Sequence, residues 1–353
     1  MKALIAMSGG VDSSVAACLM KERGFDCIGC TMRLYTNEDA NLEQGRTCCS
    51  LDDTEDARSA AFKAGIPHYV FNFTEEFREK VIGSFAAAYE AGKTPNPCIE
   101  CNRWLKFDRL ARRAKELGCE LVVTGHYARI TREEGKYCLK KAVDPSKDQS
   151  YFLYCLSQEQ LAHTCFPLGE LTKPEVRQIA EAHGFLNAQK PDSQDICFVP
   201  DGDYARVIEA FTGRTGAPGP FVDRDGRVLG THRGIIHYTV GQRRGLGLSF
   251  SEPYYVIRID PAANAVVLGP KADLFSRQAH VPSFHWISGQ APAEPIRCAV
   301  KIRYRHPEQS ALLTPNPDGS ADVLFDEPQR AITPGQSAVA YDGDTVLGGG
   351  ELA

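Results

Sequence analysis

The chain opens with an apolar run, Ala3-Leu4-Ile5-Ala6-Met7, then a polar, glycine-bearing stretch, then Val15-Ala16-Ala17-Cys18-Leu19-Met20. A short apolar run bounded by turn residues predicts a buried strand, and the apolar segment after the turn predicts a helix. Cys27 to Leu34 predicts a second strand, Asp52 to Ala64 a helix closed by Gly65-Ile66-Pro67, and His68 to Phe71 a third strand. Phe77, Val81, Ile82 and Phe85 recur at helical spacing and predict a helix from Thr74 to Tyr89, with Thr74 as N-cap. A helix from Asn102 to Leu117 and a strand at Leu121-Val122-Val123 continue the alternation. Strands and helices alternating in this way predict an α/β fold with a doubly wound parallel sheet. Ligands of such sheets bind beyond the carboxyl ends of the strands, where the first turn and Thr124-Gly125-His126-Tyr127 both fall. Residues 126–143 predict a hairpin, and Thr172-Lys173-Pro174-Glu175 a helix start with Thr172 as N-cap.

The texture changes near residue 200, where Gly, Pro and short β-rich runs replace helical periodicity. Tyr254 to Leu268 predicts a hairpin around Asp260-Pro261. Ala299 to Arg305 alternates strictly, predicting a strand with Lys301, Arg303 and Arg305 on one face and Val300, Ile302 and Tyr304 on the other. Short strands of this kind predict an all-β C-terminal module, a small barrel. Ile235 to Gly245 adds a glycine-flexed patch carrying Arg243 and Arg244.

At 353 residues the chain is long enough for two or three domains. No apolar run could span a bilayer, and Met1-Lys2 leads straight into the first strand, predicting a cytoplasmic protein with no membrane partner. Twelve of the 13 cysteines precede residue 200, so cysteine chemistry is expected in the first domain, on reduced thiols. A net charge of −5 argues against indiscriminate polyanion binding while leaving room for local basic faces.

The turn after the first strand reads Ser8-Gly9-Gly10-Val11-Asp12-Ser13-Ser14. Two glycines let successive amides converge on one anion, and the following helix adds its unpaired N–H groups and positive dipole end. Ser13 and Ser14 offer hydroxyls, and Asp12 is a natural Mg²⁺ ligand. The Gly-Lys-Ser/Thr ending of the Walker loop is missing, so no lysine is expected at the β/γ-phosphates. The stretch resembles the PP-loop of ATP pyrophosphatases, which grip pyrophosphate and expose the α-phosphate; the competing reading is a tightly packed strand–helix turn.

A second centre is Thr94-Pro95-Asn96-Pro97-Cys98-Ile99-Glu100-Cys101-Asn102. Its cysteines fall where a helix begins, which lowers a thiol pKa. That helix carries Arg103, Lys106, Arg109, Arg112, Arg113 and Lys115 against Asp108 and Glu116: either a solvated face or a phosphate-backbone contact. Cys27 and Cys30 sit three apart on a strand and point to opposite faces, as packing residues. Cys48 and Cys49 lack metal-ligand spacing, and His68 reads as structural. Cys197 lies in Pro191 to Phe198, a polar segment predicted to lodge against the core.

Taken in order, Ala6–Ser14, Thr31–Leu34, Thr94–Phe107, Thr124–Arg129, Asp148–Leu153, Asp192–Phe198, Tyr238–Gly247, Lys301–Arg305 and Arg330–Gly350 resemble the tRNA 2-thiouridylase (MnmA) family over essentially the whole chain. The resemblance implies a PP-loop domain at 1–203, a small central domain at 204–278 and a C-terminal β-barrel at 279–353. It implies ATP, with Mg²⁺, adenylating the C2 oxygen of the wobble uridine in tRNAs for Lys, Glu and Gln. Sulfur from a cysteine persulfide then displaces AMP. By the same resemblance Cys197 carries the persulfide and Cys101 is its partner, the two coming within disulfide reach. Ala6, Met7, Ser8, Gly9, Gly10, Val11, Asp12, Ser13, Met32 and Gly125 match ATP contacts. Asn96, Pro97 and Cys98 match positions at the target base, and His126, Lys147, Asp148, Gln149, Arg303, Tyr304 and Gln336 match tRNA contacts. The sulfur donor is a cysteine desulfurase or a sulfur-relay protein.

Many family members carry aspartate where this chain has Cys98. In one reading Cys98 is a spectator or spare resolving thiol. In the other, Cys98, Cys101 and Cys197 hold a [4Fe–4S] cluster with an open iron, or less aptly a zinc ion. A different PP-loop enzyme adenylating a small metabolite would need none of these cysteines, and a tRNA-binding scaffold would need no working ATP site.

Overall fold

The computed structural model describes residues 1–35, 51–191, 196–199 and 201–353. The polar loop at 36–46, Cys48, Cys49 and Asp192 to Asp195 lie outside the described residues. Apolar runs at β1 (Lys2–Ala6), β2 (Asp26–Arg33), β3 (His68–Asn72) and β4 (Leu121–Val123) pair in parallel. A hairpin, β5 (Arg129–Glu133) and β6 (Lys136–Lys140), comes next, and β7 (Thr164–Cys165) completes the first sheet in the order β3-β2-β1-β4-β7. Every pairing in this sheet is parallel, as the alternating pattern predicts.

Both faces are covered. Ala3, Ile5 and Cys27 pack against α1 (Val11–Glu22), α2 (Leu51–Lys63) and the helix Lys173–Ala182. Leu4, Ile28 and Cys30 face the helices over 74–90 and 97–116. Cys27 and Cys30 thus enter opposite cores as packing residues, and a fully buried side chain of Leu4 or Ile5 size is worth about 1.5–3 kcal/mol. His68 accepts its structural place through Thr31 Oγ1, 2.9 Å from Nε2.

Two helix boundaries differ from expectation. Phe73 caps the helix over 74–90, and Thr74 is its first residue, donating Oγ1 to Asn72 Oδ1 at 2.9 Å. The helix predicted from Asn102 starts at Pro97, capped by Asn96 Oδ1 accepting from Cys98 N at 3.2 Å. Proline lacks the N–H that a first helical turn leaves unpaired, so Pro97 opens a helix that the Pro-rich approach concealed.

Beyond residue 201, the helix Tyr204–Thr212 still packs on the first domain, with Ala205, Val207 and Ile208 in its core. A four-stranded sheet follows, built from Gly219–Val222, Val228–His232 and the predicted hairpin Tyr254–Asp260 with Ala265–Pro270. The C-terminal strands, from Phe275–Val281 to Thr345–Glu351, are antiparallel and curl until Ala353 N donates to His280 O at 3.0 Å. β5 and β6 extend this sheet through Lys140 opposite Thr345, so the hairpin ties the first domain to the last. Among the described residues, no helix is long and apolar enough to cross a membrane.

The strand predicted through Arg305 ends at Lys301. Ile302 is buried, and Arg303 turns inward, donating to Ala331 O and, at 2.9 Å, to Thr333 Oγ1. The basic face of Lys301, Arg303 and Arg305 therefore does not form. Satisfying two acceptors of the neighbouring loop outweighs one more strand pair.

Candidate nucleotide and sulfur-transfer site

β1 ends at Ala6, and the turn Met7 to Gly10 carries the chain into α1 at the carboxyl edge of the sheet. Gly9 adopts φ +77°, a left-handed conformation that favours glycine, and any Cβ there would collide with the Asp53 carbonyl. Gly125, after β4, lies against the start of α1, where an added Cβ would fall 2.9 Å from Asp12 C and Ser13 N. The loops after β1 and β4 are thereby in contact at the point where strand order reverses. Met32 stands at the same edge on β2.

The hydroxyls differ from expectation. Ser13 Oγ donates to Gly10 O at 2.9 Å and accepts from Ser8 N at 3.2 Å. Ser14 Oγ donates to Gly10 O at 3.1 Å and accepts from Asn187 Nδ2 at 3.1 Å. Both serines are buried and brace the turn from behind, while Ser8 is exposed. Asp12 accepts Lys173 Nζ at 2.7 and 2.9 Å and the Tyr127 hydroxyl at 2.7 Å. A lysine does stand at the loop, supplied from 161 residues away. Only a capped helix start at Thr172 hinted that Lys173 had a fixed backbone; nothing local aimed its side chain.

The helix over 97–116 widens to π winding from Cys101 to Arg109. Hydrogen bonding five residues apart places Cys101 and Lys106 on one face, and such widened turns recur at functional sites. Cys101 is half-buried; burial raises its thiol pKa, and Lys106 opposes that rise. The helix-start argument for a lowered pKa thus yields to desolvation. Lys106 Nζ lies 3.4 Å from His126 Nε2. An ammonium can only donate, so Nε2 accepts, Nδ1 carries the proton, and Thr124 Oγ1 accepts it at 2.7 Å. Burial, with Lys106 adding to it, keeps His126 neutral, well below the usual imidazole pKa.

The other basic residues of this helix are paired with carboxylates: Arg103 with Glu100, Arg109 with Glu76, Arg112 with Asp108, Arg113 with Glu116 and Lys115 with Glu159. That face is therefore laced with exposed and partly exposed ion pairs.

Cys98 is exposed in the first helical turn. Tyr304 has its phenol pKa raised by burial, then by Asp148, with Cys98 a smaller contributor. Tyr304 also packs on Phe152 at a centroid distance of 4.3 Å. Asn96 and buried Pro97 open the same helix, and Gln336 Nε2 donates to Thr94 O at 2.8 Å on the approach to it. Asp148 itself is buried, accepting from Ala142 N, Ser150 N and Ser150 Oγ, and Gln149 Oε1 accepts from Tyr127 N at 3.0 Å. Lys147 is half-exposed on that turn. His126 and Asp148 are thus buried and held by hydrogen bonds within the fold.

Ile196 and Cys197 pack against the core cluster that Cys101 also borders, with Phe198 and Val199 buried, as expected of a loop lodged on the core. Tyr35 donates its hydroxyl to Cys197 O at 2.6 Å. Cys98, Cys101 and Cys197 do not gather into a metal site: among the described residues no three His, Cys, Asp or Glu side chains could hold an ion. The three-thiolate [4Fe–4S] or zinc arrangement does not fit this geometry.

A model of the tRNA methyl transferase HUP domain matches residues 1–201. A tRNA methyl transferase PRC-barrel domain matches 207–270, and an aminomethyltransferase beta-barrel domain matches 276–352. The tRNA-specific 2-thiouridylase MnmA of Geotalea uraniireducens (strain Rf4) is 50% identical over 353 residues, covering 99% of this chain and 94% of its own. The protein of the same name from Acetivibrio thermocellus is also 50% identical, covering 99% of this chain and 98% of its own. A solved 4-thiouridine synthetase–RNA complex with bound ATP overlaps 60% of this chain and 54% of its own, remotely, at TM-score 0.37 and 20% identity. With half its positions identical to full-length relatives and all three of its parts matched in order, the chain belongs to the tRNA-specific 2-thiouridylase MnmA family.

Proposed function

We propose that the protein is a tRNA 2-thiouridylase that adenylates the C2 oxygen of the wobble uridine in tRNAs for Lys, Glu and Gln, then replaces it with sulfur. What supports this is the full-length match to relatives named tRNA-specific 2-thiouridylase, with the glycine loop, Cys101 and Cys197 all inside the matched 1–201 region. ATP, accompanied by Mg²⁺, occupies the loop from Ala6 to Ser13, with Met32 and Gly125 bordering it. The target base enters past Asn96, Pro97 and Cys98, beside Tyr304.

An unactivated uracil carbonyl has a poor leaving group; adenylation makes it AMP. Cys197 receives a terminal sulfur from a desulfurase or relay protein. The Cys101 thiolate attacks the inner sulfur of that persulfide, a Cys101–Cys197 disulfide forms, and hydrosulfide leaves. Hydrosulfide adds to C2 and expels AMP, and an external dithiol reduces the disulfide for the next turnover. A wobble base must leave the anticodon stack to be adenylated, so it reaches the site flipped out.

The test combines the protein, unmodified tRNA, ATP, Mg²⁺ and a persulfide donor, with 2-thiouridine read by nucleoside mass spectrometry. One AMP and one pyrophosphate per thiolated tRNA support the reading; AMP formation on small metabolites with no tRNA requirement overturns it. Cys98→Ala is expected to keep more than about a third of the parental thiolation rate, since an exposed thiol outside the transfer pair contributes little. A rate near zero would make Cys98 essential.

The pH dependence follows from Cys101. The thiolate is the attacking form, so sulfur release from a preloaded Cys197 persulfide rises with pH until Cys101 is fully ionised. Burial raises its pKa, which places the plateau above the ordinary thiol range. Lys106→Met removes the opposing cation and is expected to move the plateau to still higher pH in single-turnover assays.

A further inference from the structure

The glycine-flexed stretch at 238–247, which the resemblance covers without giving it a task, folds into a rigid turn on the four-stranded sheet. Gln242 N donates to Thr239 O at 3.0 Å, Thr239 N to Gln242 Oε1 at 3.1 Å, and Gln242 Nε2 to Arg244 O at 3.0 Å. Gly241 N donates to Val256 O at 2.8 Å, and Val256 N to Gln242 O at 2.9 Å. Tyr238 and Leu246, near its two ends, are buried in the apolar cluster of that sheet. Arg243 and Arg244 stand exposed at the turn's outer edge, between Gly241 at φ +91° and Gly245 at φ +77°.

Three other exposed arginines of this part of the chain are neutralised: Arg214 by Glu90 at 2.7 Å, Arg224 by Asp273 at 2.9 Å and Arg258 by Asp260 at 2.9 Å. Arg243 and Arg244 have no ion-pair partner among the described residues. Neither has Arg330, which joins the same turn by donating to Gly241 O at 3.5 Å, its guanidinium 5.5 Å from the centre of the Tyr255 ring. The turn also stands beside the approach to the thiols. Thr94 Oγ1 donates to Thr239 Oγ1 at 3.3 Å, and Cys98 follows Thr94 by four residues. Arg243 follows Thr239 by four residues, so its Cα lies within about 14 Å of the Thr239 Cα. In a chain of net charge −5, three unneutralised guanidinium groups around one turn make a local positive field. Each planar fork can donate two hydrogen bonds to one phosphate, and exposed Gly245 and Gly247 leave bare backbone where a strand of RNA can come close.

We propose that Arg243 and Arg244, with Arg330 beside them, form a phosphate clamp that holds the tRNA backbone while the target uridine enters past Asn96. The clamp rests on the thiouridylase reading above. It reads no base: phosphates are alike along the strand, so the clamp sets affinity and register and leaves the choice of tRNA to other contacts.

The test is binding of unmodified tRNA by fluorescence anisotropy between about 50 and 200 mM salt, where phosphate contacts show as a slope of log affinity against log salt. It uses the full chain, Arg243→Gln/Arg244→Gln, Arg243→Lys/Arg244→Lys, Arg330→Gln and, as control, Arg258→Gln. The double glutamine variant is expected to bind tRNA about 10- to 100-fold more weakly, with the salt slope reduced by about two. Its KM for tRNA in thiolation rises by the same factor, while kcat and ATP affinity stay parental. The lysine pair keeps the slope and gives up part of the affinity, having charge without the fork. Arg330→Gln loses about one from the slope, and Arg258→Gln behaves as the parent. Parental tRNA affinity and slope in the double glutamine variant overturn the proposal. So does parental tRNA binding combined with slower loading of Cys197 from a protein persulfide donor than from a small-molecule one, which assigns the arginines to an acidic protein partner. Should the double glutamine variant fail to fold, the lysine pair and Arg330→Gln carry the test. A parent chain that binds no tRNA overturns the thiouridylase reading itself, which keeps the two failures apart.

Discussion

Serine in place of Cys101 or Cys197 is expected to cut tRNA thiolation by at least about a thousandfold, because a hydroxyl is not an effective nucleophile toward sulfur and cannot carry a persulfide. The two variants should stall at different points. Cys197→Ser cannot be loaded, so the protein gains no sulfur from the donor. Cys101→Ser still accepts sulfur, and Cys197 persulfide accumulates, visible by mass spectrometry as one extra sulfur atom. Both should still consume ATP on tRNA, since the phosphate loop lies at the sheet edge and neither cysteine belongs to it. Thiolation at the parental rate by Cys197→Ser would remove it as the carrier. Loss of folding is a smaller concern, because both residues border the core without being fully buried and serine is nearly isosteric.

Gly9→Ala is expected to lose ATP binding by more than about a hundredfold and to destabilise the first domain by about 2–4 kcal/mol, combining a left-handed backbone with overpacking. Gly9 lies at φ +77°, and its missing Cβ is where the Asp53 carbonyl passes. An added methyl must push the start of α2 away from the loop or unwind the turn. Gly10→Ala is the control. Gly10 has φ −83°, an ordinary conformation, and a Cβ there would meet Ser8 Oγ no closer than 3.6 Å. Equal ATP affinity in Gly9→Ala and the parent, by titration calorimetry, would show that the collision relaxes at little cost.

Much of the site was legible in the chain because its signals are local. A glycine pair between an apolar run and a helix start points to a tight turn at the carboxyl end of a strand, where Gly9 is found at φ +77°. The placement of Cys27 and Cys30 in opposite cores follows from strand geometry alone. Cys197 in a polar segment flanked by apolar residues announced a loop against the core. Less was legible where two segments must meet. The basic helix offered six cations, and which of them remained for chemistry depended on Glu76 and Glu159, carried by other helices. The burial of His126 against Phe107 and Phe166, and of Asp148 under the turn amides, was not legible in the chain.

The sequence by itself determined the alternation of strand and helix, hence the parallel sheet, the loop at its carboxyl edge, and the change to short strands after residue 200. These follow from hydrophobic periodicity and turn chemistry, properties of a few neighbouring residues. Only the tertiary structure decided that Lys173 reaches Asp12, that Arg303 turns into the barrel, that β5 and β6 join the C-terminal sheet, and that burial raises the Cys101 thiol pKa. Charge pairing and desolvation depend on which atoms lie within a few ångströms, and for Lys173 and Asp12 that neighbour is 161 residues away along the chain.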